Sequence, residues 1–125
     1  MKVSVVIPNF NGKHFLNNCF LSLYEQEDYI NEIIIIDNGS TDGSQEFIKK
    51  KIKDIIEEDF NFKIKLIENK ENLGFSTAVN QGIKNSNSDL VFLINNDVEL
   101  DKDCILNLIN CINSMPISPS SIIPN

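Results

Sequence analysis

The sequence contains no tryptophan and no arginine, and it has little positive charge of any kind. Eleven lysines face 18 acidic residues, for a net charge of −7. Nucleic-acid phosphates require a basic surface, so this balance argues against nucleic acid as the main partner. It leaves room for a small phosphate ligand held by backbone amides and a metal. Cysteine is scarce as well. Cys19, Cys104 and Cys111 are odd in number and match no zinc spacing, which argues against a disulfide framework and for a reduced, cytoplasmic setting. Cys104 and Cys111, seven residues apart, fall on one helix face, where small buried hydrophobes are expected. No apolar run is long enough to span a bilayer, and Met1-Lys2 leads directly into a strand-like segment, so no signal peptide is expected. Repeats and linker-like stretches are also missing. What remains is an ordinary globular composition, 42% hydrophobic and 23% charged, over 125 residues. That length suits one domain with a core of its own.

The chain alternates strand and helix. Val3–Pro8 is β-branched and reads as a strand, ended by Pro8, which cannot donate to a ladder. After the turn Asn9–Gly12, a helix is expected from about Lys13 to Gln26, with Phe15, Cys19, Phe20 and Leu23 inward. Glu32–Asp37 is a strand without alternation, hence buried on both faces. A loop from Asn38 to Ser44 opens a helix to about Glu57, capped by Thr41 or Asp42, with Phe47, Ile48, Ile52, Ile55 and Ile56 inward and its lysines solvated. Phe62–Ile67 alternates and suits a sheet edge. A helix over about Ser76–Asn85, a strand over Asp89–Ile94 and a helix from Asp101 to about Ser114 follow, the last with Ile105, Leu108, Ile109 and Ile112 inward. Ile122-Ile123 suggests a fifth strand. His14, at the start of the first helix, reads as a surface residue.

This rhythm predicts right-handed crossovers, a mostly parallel sheet and a three-layer α/β/α architecture. Ligands then bind at the carboxyl ends of the strands. The loops there are Pro8–Asn11, Asp37–Asp42, Asn69–Ser76 and Asn95–Glu99, all polar. An apolar run stopping in Asn95-Asn96-Asp97 places a carboxylate at such an end.

Taken together, Val5–Asn11, Ile36–Asp42, Asn72–Gly82 and Leu93–Glu99 resemble the family 2 glycosyltransferases of the GT-A fold, a Rossmann-like fold of nucleotide-diphospho-sugar transferases. The wording of Asn72–Gly82 and the Asn-Asn-Asp form are most similar to the rhamnosyltransferase-like branch, which makes bacterial surface polysaccharides. The match covers Val3 to Ile123. The resemblance implies that residues 1–125 are the N-terminal nucleotide-sugar-binding part of such a domain, with a truncated fold. The enzyme would transfer a sugar from a nucleoside diphosphate to a saccharide or lipid-linked acceptor, with inversion, in the cytoplasm or at the inner face of the membrane.

The resemblance also implies roles. Pro8, Asn9, Phe10 and Asn11 match the first nucleotide-contacting loop. Asp37 and Asn38 match an acidic pair that contacts base and ribose, with Ser40 beside them. Asn38, an amide, both donates and accepts. Asn72, Gly74 and Asn80 match positions close to the diphosphate, Gly74 and Ala78 being small enough for close approach. Where relatives carry arginine before the Asn80 position, this chain has Val79. Asn95, Asn96 and Asp97 match the D-x-D metal motif, Asn95 replacing its first carboxylate. Asp97 is then the main ligand for Mg²⁺ or Mn²⁺, and Glu99 can assist if the chain stays extended. The general base of the family lies many tens of residues after this motif, so it is expected beyond residue 125. A sheet cut at that point would expose an edge open to self-association. A non-catalytic nucleotide-sugar-binding module is the alternative. A nucleotidyltransferase would need a glycine-rich basic loop after the first strand, and a flavodoxin-like signalling domain an acidic cluster there. Asn9–Lys13 supplies neither.

Overall fold

The computed structural model describes residues 1–115, so the expected strand at Ile122-Ile123 lies outside the described residues. Nine elements follow in order. They are β1 (Val3–Asn9), α1 (Lys13–Tyr24), a 3-10 turn (Glu27–Tyr29), β2 (Ile30–Asn38), α2 (Ser44–Glu57), β3 (Lys63–Asn69), α3 (Phe75–Lys84), β4 (Val91–Leu93) and α4 (Cys104–Asn113). The strands form one sheet in the order β3-β2-β1-β4, and every pairing is parallel. β3 occupies an edge, as its alternation requires.

Alternate residues of each strand point to opposite faces. On one face Val3, Val5, Ile7, Ile33, Ile35, Ile64 and Phe92 meet the inward stripes of α1, α2 and α4. On the other, Val6, Ile34 and Ile36 meet Ala78 of α3, with Ile67, Val91 and Leu93 half-covered at the margin. The result is the expected three layers, one of them thin among the described residues. β4 is shorter than anticipated, although Ser4 N–H bonds to the Leu90 carbonyl and Ile94 N–H to the Val6 carbonyl (3.0 and 3.1 Å), extending its pairing at both ends.

Several inward assignments shift by one helical step. In α1 the buried stripe is Leu16, Cys19, Phe20 and Leu23, and Phe15 is exposed against the His14 ring. Leu16 completes the i, i+3, i+4, i+7 pattern, which leaves Phe15 one step off it. In α2 Ile48 and Ile55 are buried while Ile56 is 73% exposed, rotated about 100° from Ile55. In α4 Ile105 and Ile109 point in. Leu108 and Cys111 lie on the adjacent stripe and are exposed, so Cys111 is not a core residue, and Cys104 is half-buried. This helix begins at Cys104 rather than Asp101 because residues 101–103 form a turn, with Cys104 N–H bonded to the Asp101 carbonyl. Its amino end is held by Gln26, a 1% exposed side chain whose carbonyl accepts the Ile105 N–H at 2.8 Å.

Candidate functional site at the carboxyl ends of the strands

Parallel strands bring all their carboxyl ends to one edge of the sheet. There a cleft of about 280 Å³ is lined by Pro8, Asn9 and Phe10 after β1, Asn38 at the end of β2, Asn72 and Phe75 before and at the start of α3, and Asn95, Asn96 and Asp97 after β4. Eight of these nine were expected from sequence. Phe75 was not. It is a 57% exposed ring at the first position of α3, off that helix's buried side, and an aromatic placed there was the available signal.

Asp37 sits beneath the cleft and not in it. It is fully buried, and its two oxygens accept four hydrogen bonds, from Asn9 Nδ2 (2.9 Å), Ser40 Oγ (2.7 Å), Ser40 N–H (3.0 Å) and Gln45 Nε2 (2.7 Å). A carboxylate so occupied orients its neighbours rather than a ligand. Ser40 is likewise turned inward, and its hydroxyl accepts the Asn11 N–H at 2.9 Å. Asn11, at φ 51°, accepts the Thr41 N–H at 2.8 Å and so joins the first two loops outside the lining.

On the α3 side, Asn38 Oδ1 accepts Asn69 Nδ2 (2.9 Å) and its own amide donates to the Gly74 carbonyl (3.1 Å). Asn69 and Gln81 exchange two amide hydrogen bonds, at 2.8 and 2.9 Å. Asn72 Oδ1 accepts the Gly74 N–H at 2.9 Å and pins the turn. Gly74 adopts φ 90°, ψ 163°, a region open essentially to glycine alone. Asn80 is exposed on α3 and does not reach the cleft lining.

The β4 loop carries the only carboxylate of the lining. Asp97 is exposed, and its side chain makes no hydrogen bond among the described residues. Glu99 is exposed outside the lining, yet both acids act on one neighbour. Burial, then the negative charges of Asp97 and Glu99, push the Cys19 thiol up to about 12. Asn96 Nδ2 donates to Asn9 Oδ1 at 2.8 Å. No group of three or more His, Cys, Asp or Glu side chains forms a closed metal cage among the described residues. A lone carboxylate in an open, otherwise neutral cleft fits Mg²⁺ or Mn²⁺ held jointly with phosphate oxygens, because Mg²⁺ keeps most of its shell from substrate and water.

A family model described as glycosyl transferase family 2 matches residues 4–117. The chain is 35% identical over 106 residues to an uncharacterized glycosyltransferase, YfnE, of Bacillus subtilis, covering 84% of this chain and 25% of that one. It is 33% identical over 107 residues to the abequosyltransferase RfbV of Salmonella typhimurium, covering 84% and 31%. The chain thus spans about a quarter to a third of these curated relatives. Among solved structures, the mannosyltransferase PcManGT of Pyrobaculum calidifontis, in complex with GDP-Man and Mn²⁺, superposes with a TM-score of 0.81 at 21% identity, over 92% of this chain and 33% of that one. TarS 1-349 of S. aureus gives 0.76 at 20% identity, over 90% and 32%. The architecture is the GT-A fold, and the chain belongs to glycosyl transferase family 2.

Proposed function

We propose that these residues form the donor-binding part of an enzyme that moves a sugar from a nucleoside diphosphate to a saccharide or lipid-linked acceptor, in cell-surface polysaccharide synthesis. The observation that carries this reading is the cleft itself. Residues from all four strand-end loops converge there, with a single carboxylate in an amide-rich lining. Relatives named for abequosyl transfer and for poly(ribitol-phosphate) glucosyl transfer support the polysaccharide assignment. A GDP-Man and Mn²⁺ complex and a UDP-GlcNAc complex among the structural neighbours support the donor class.

In this reading Phe10 and Phe75, both exposed at the cleft, offer ring faces to the base. The amides beneath are already hydrogen-bonded to one another, so the floor does not reorganise when a ligand arrives. Asp97 is the residue that would hold a divalent cation, with Glu99 two residues further on. When bound, the cation offsets the negative charge that grows on the departing diphosphate. Direct displacement at the anomeric carbon, with inversion, also needs a base for the acceptor hydroxyl. Asp97 is committed to the cation, so that base is to be sought outside the cleft lining. No helix among the described residues is long and apolar enough to cross a membrane.

Calorimetric titration with UDP, GDP and dTDP, with Mn²⁺ and with chelator, tests the reading. One of the three should bind about ten-fold or more tightly with Mn²⁺, and Asp97→Ala should remove that gain. An unchanged gain in Asp97→Ala defeats the metal assignment. No binding of any nucleotide defeats the donor-binding reading. The single carboxylate of the lining favours one second reading, a module that binds nucleotide sugars without transfer. It predicts the same titration and no release of sugar from any donor.

A further inference from the structure

We propose that Asn96 is a positioning residue, which aims the adjoining Asp97 carboxylate into the cleft through a one-directional relay from Asp37 by way of Asn9. The inference rests on the donor-binding reading above.

The direction of the relay follows from chemistry. Asp37 can only accept, so Asn9 must turn its NH₂ toward it, at 2.9 Å. The Asn9 carbonyl is then forced to face the β4 loop, where only a donor satisfies it. Asn96 supplies that donor at 2.8 Å, across 87 residues of sequence. Asn9 is 2% exposed and Asp37 is fully buried, so neither end is free to turn over. Successive amide bonds of this kind polarise one another. The Asn96 side chain is thereby fixed with its NH₂ inward and its carbonyl oxygen outward, and the residue next along the chain is Asp97.

Space has been kept for this contact. A Cβ on Gly12 would overlap Asn96 Nδ2 outright and would stand 2.6 Å from Asn9 Oδ1. Gly12 has φ −106°, which any residue adopts, so its lack of a side chain serves the approach of Asn96 and not a turn. Gly12 lies outside the cleft lining, so altering it reaches Asp97 by way of the Asn9–Asn96 contact.

The test is a double-mutant cycle between Gly12→Ala and Asn96→Ala, read as nucleoside diphosphate affinity with Mn²⁺ and with chelator. Each single variant should reduce the Mn²⁺-dependent gain about ten-fold, the usual effect of losing a residue that orients a metal ligand. In Gly12→Ala the metal-free affinity should change less than about two-fold, because Asp97 contributes through the cation. Asn96→Ala also removes a side chain of the cleft lining, so it is read only by the ratio of its two affinities. A merely structural defect would lower both affinities together. In the Gly12→Ala background, Asn96→Ala should cost nothing more, since the contact is already broken. Additive losses overturn the relay, and so does an undiminished Mn²⁺ gain in either single variant. Should Gly12→Ala fail to fold, Asn9→Leu takes its place in the cycle with the same expected non-additivity against Asn96→Ala. A wild-type protein that shows no Mn²⁺-dependent gain fails the donor-binding reading instead, and is told apart by that control.

Discussion

Asp37 accepts four hydrogen bonds and donates none, so the groups around it are all turned to donate. Asp37→Asn keeps the shape and replaces one acceptor by a donor facing other donors. It should cost about 1–3 kcal/mol in chemical denaturation, the penalty for a buried polar group left unpaired. Sequence alone marks Asp37 as a strand-end carboxylate but not the direction it faces. β2 is apolar on both faces, so it lacks the alternation that would have assigned residue 37 to the α1–α2 side and residue 38 to the α3 side. Asn80 eluded the sequence for a related reason. Its motif places it near the cleft, and the rotation of α3 points it to solvent. Gly74 gives a second prediction at this scale. With φ 90° and ψ 163°, Gly74→Ala should cost about 1–3 kcal/mol through backbone strain alone, since nothing lies within 4 Å of the added methyl.

Among the elements, α3 and α4 are each set in place by one feature beyond their apolar faces. α3 lies flush on the sheet because Gly82 has no side chain. An added Cβ would overlap Val6 Cγ1 and stand 2.9 Å from Ile36 Cδ1. Gly82→Val should lift the helix and lower stability by about 1–3 kcal/mol or more, measured as a reduced thermal midpoint. α4 has no side-chain cap from Asp103, and Gln26 supplies its acceptor from the end of α1. Gln26→Leu should leave the fold intact while amide exchange in the first turn of α4 accelerates. The order and type of the four strands and four helices were legible because each apolar run has its own period and its own polar boundary, whereas the 3-10 turn Glu27–Tyr29 was not anticipated. The rotation of each helix was not. Phe15, Ile56 and Leu108 are all apolar, and only the facing surface decides which of two adjacent stripes is inward. The Gln26 contact joins residues 79 apart, beyond the reach of any local pattern.

At the scale of the whole molecule, the two ends of the sheet carry different chemistry. The cleft end is built from amides. At the opposite end, Glu32 is 3% exposed, paired with Lys65 at 2.7 Å and bonded by Ser4 Oγ and the Asn87 N–H, each at 2.6 Å. Burial alone would raise the Glu32 carboxyl. The hydrogen bonds from Lys65, Ser4 and Asn87 outweigh it and hold the carboxyl below its ordinary value of 4.5. A depressed carboxylate stabilises the fold fully above that ordinary value, and the contribution is lost as pH falls through the lower, folded value. Thermal midpoints should therefore drop on acidification below about pH 4.5, and Glu32→Gln should flatten that acid limb.

The strand order β3-β2-β1-β4 also fixes a sequence of events in time. A chain is synthesised from its amino end, at roughly 5–20 residues per second. Of the described strands, β1 and β2 are made first and lie next to one another, so their pairing can form before β3 and β4 exist. β3 then adds to one side and β4 to the other. Asn9 is made 87 residues before Asn96, so their contact closes only after all four described strands have been made. A nascent chain stopped short of residue 96 lacks the donor that meets the Asn9 carbonyl.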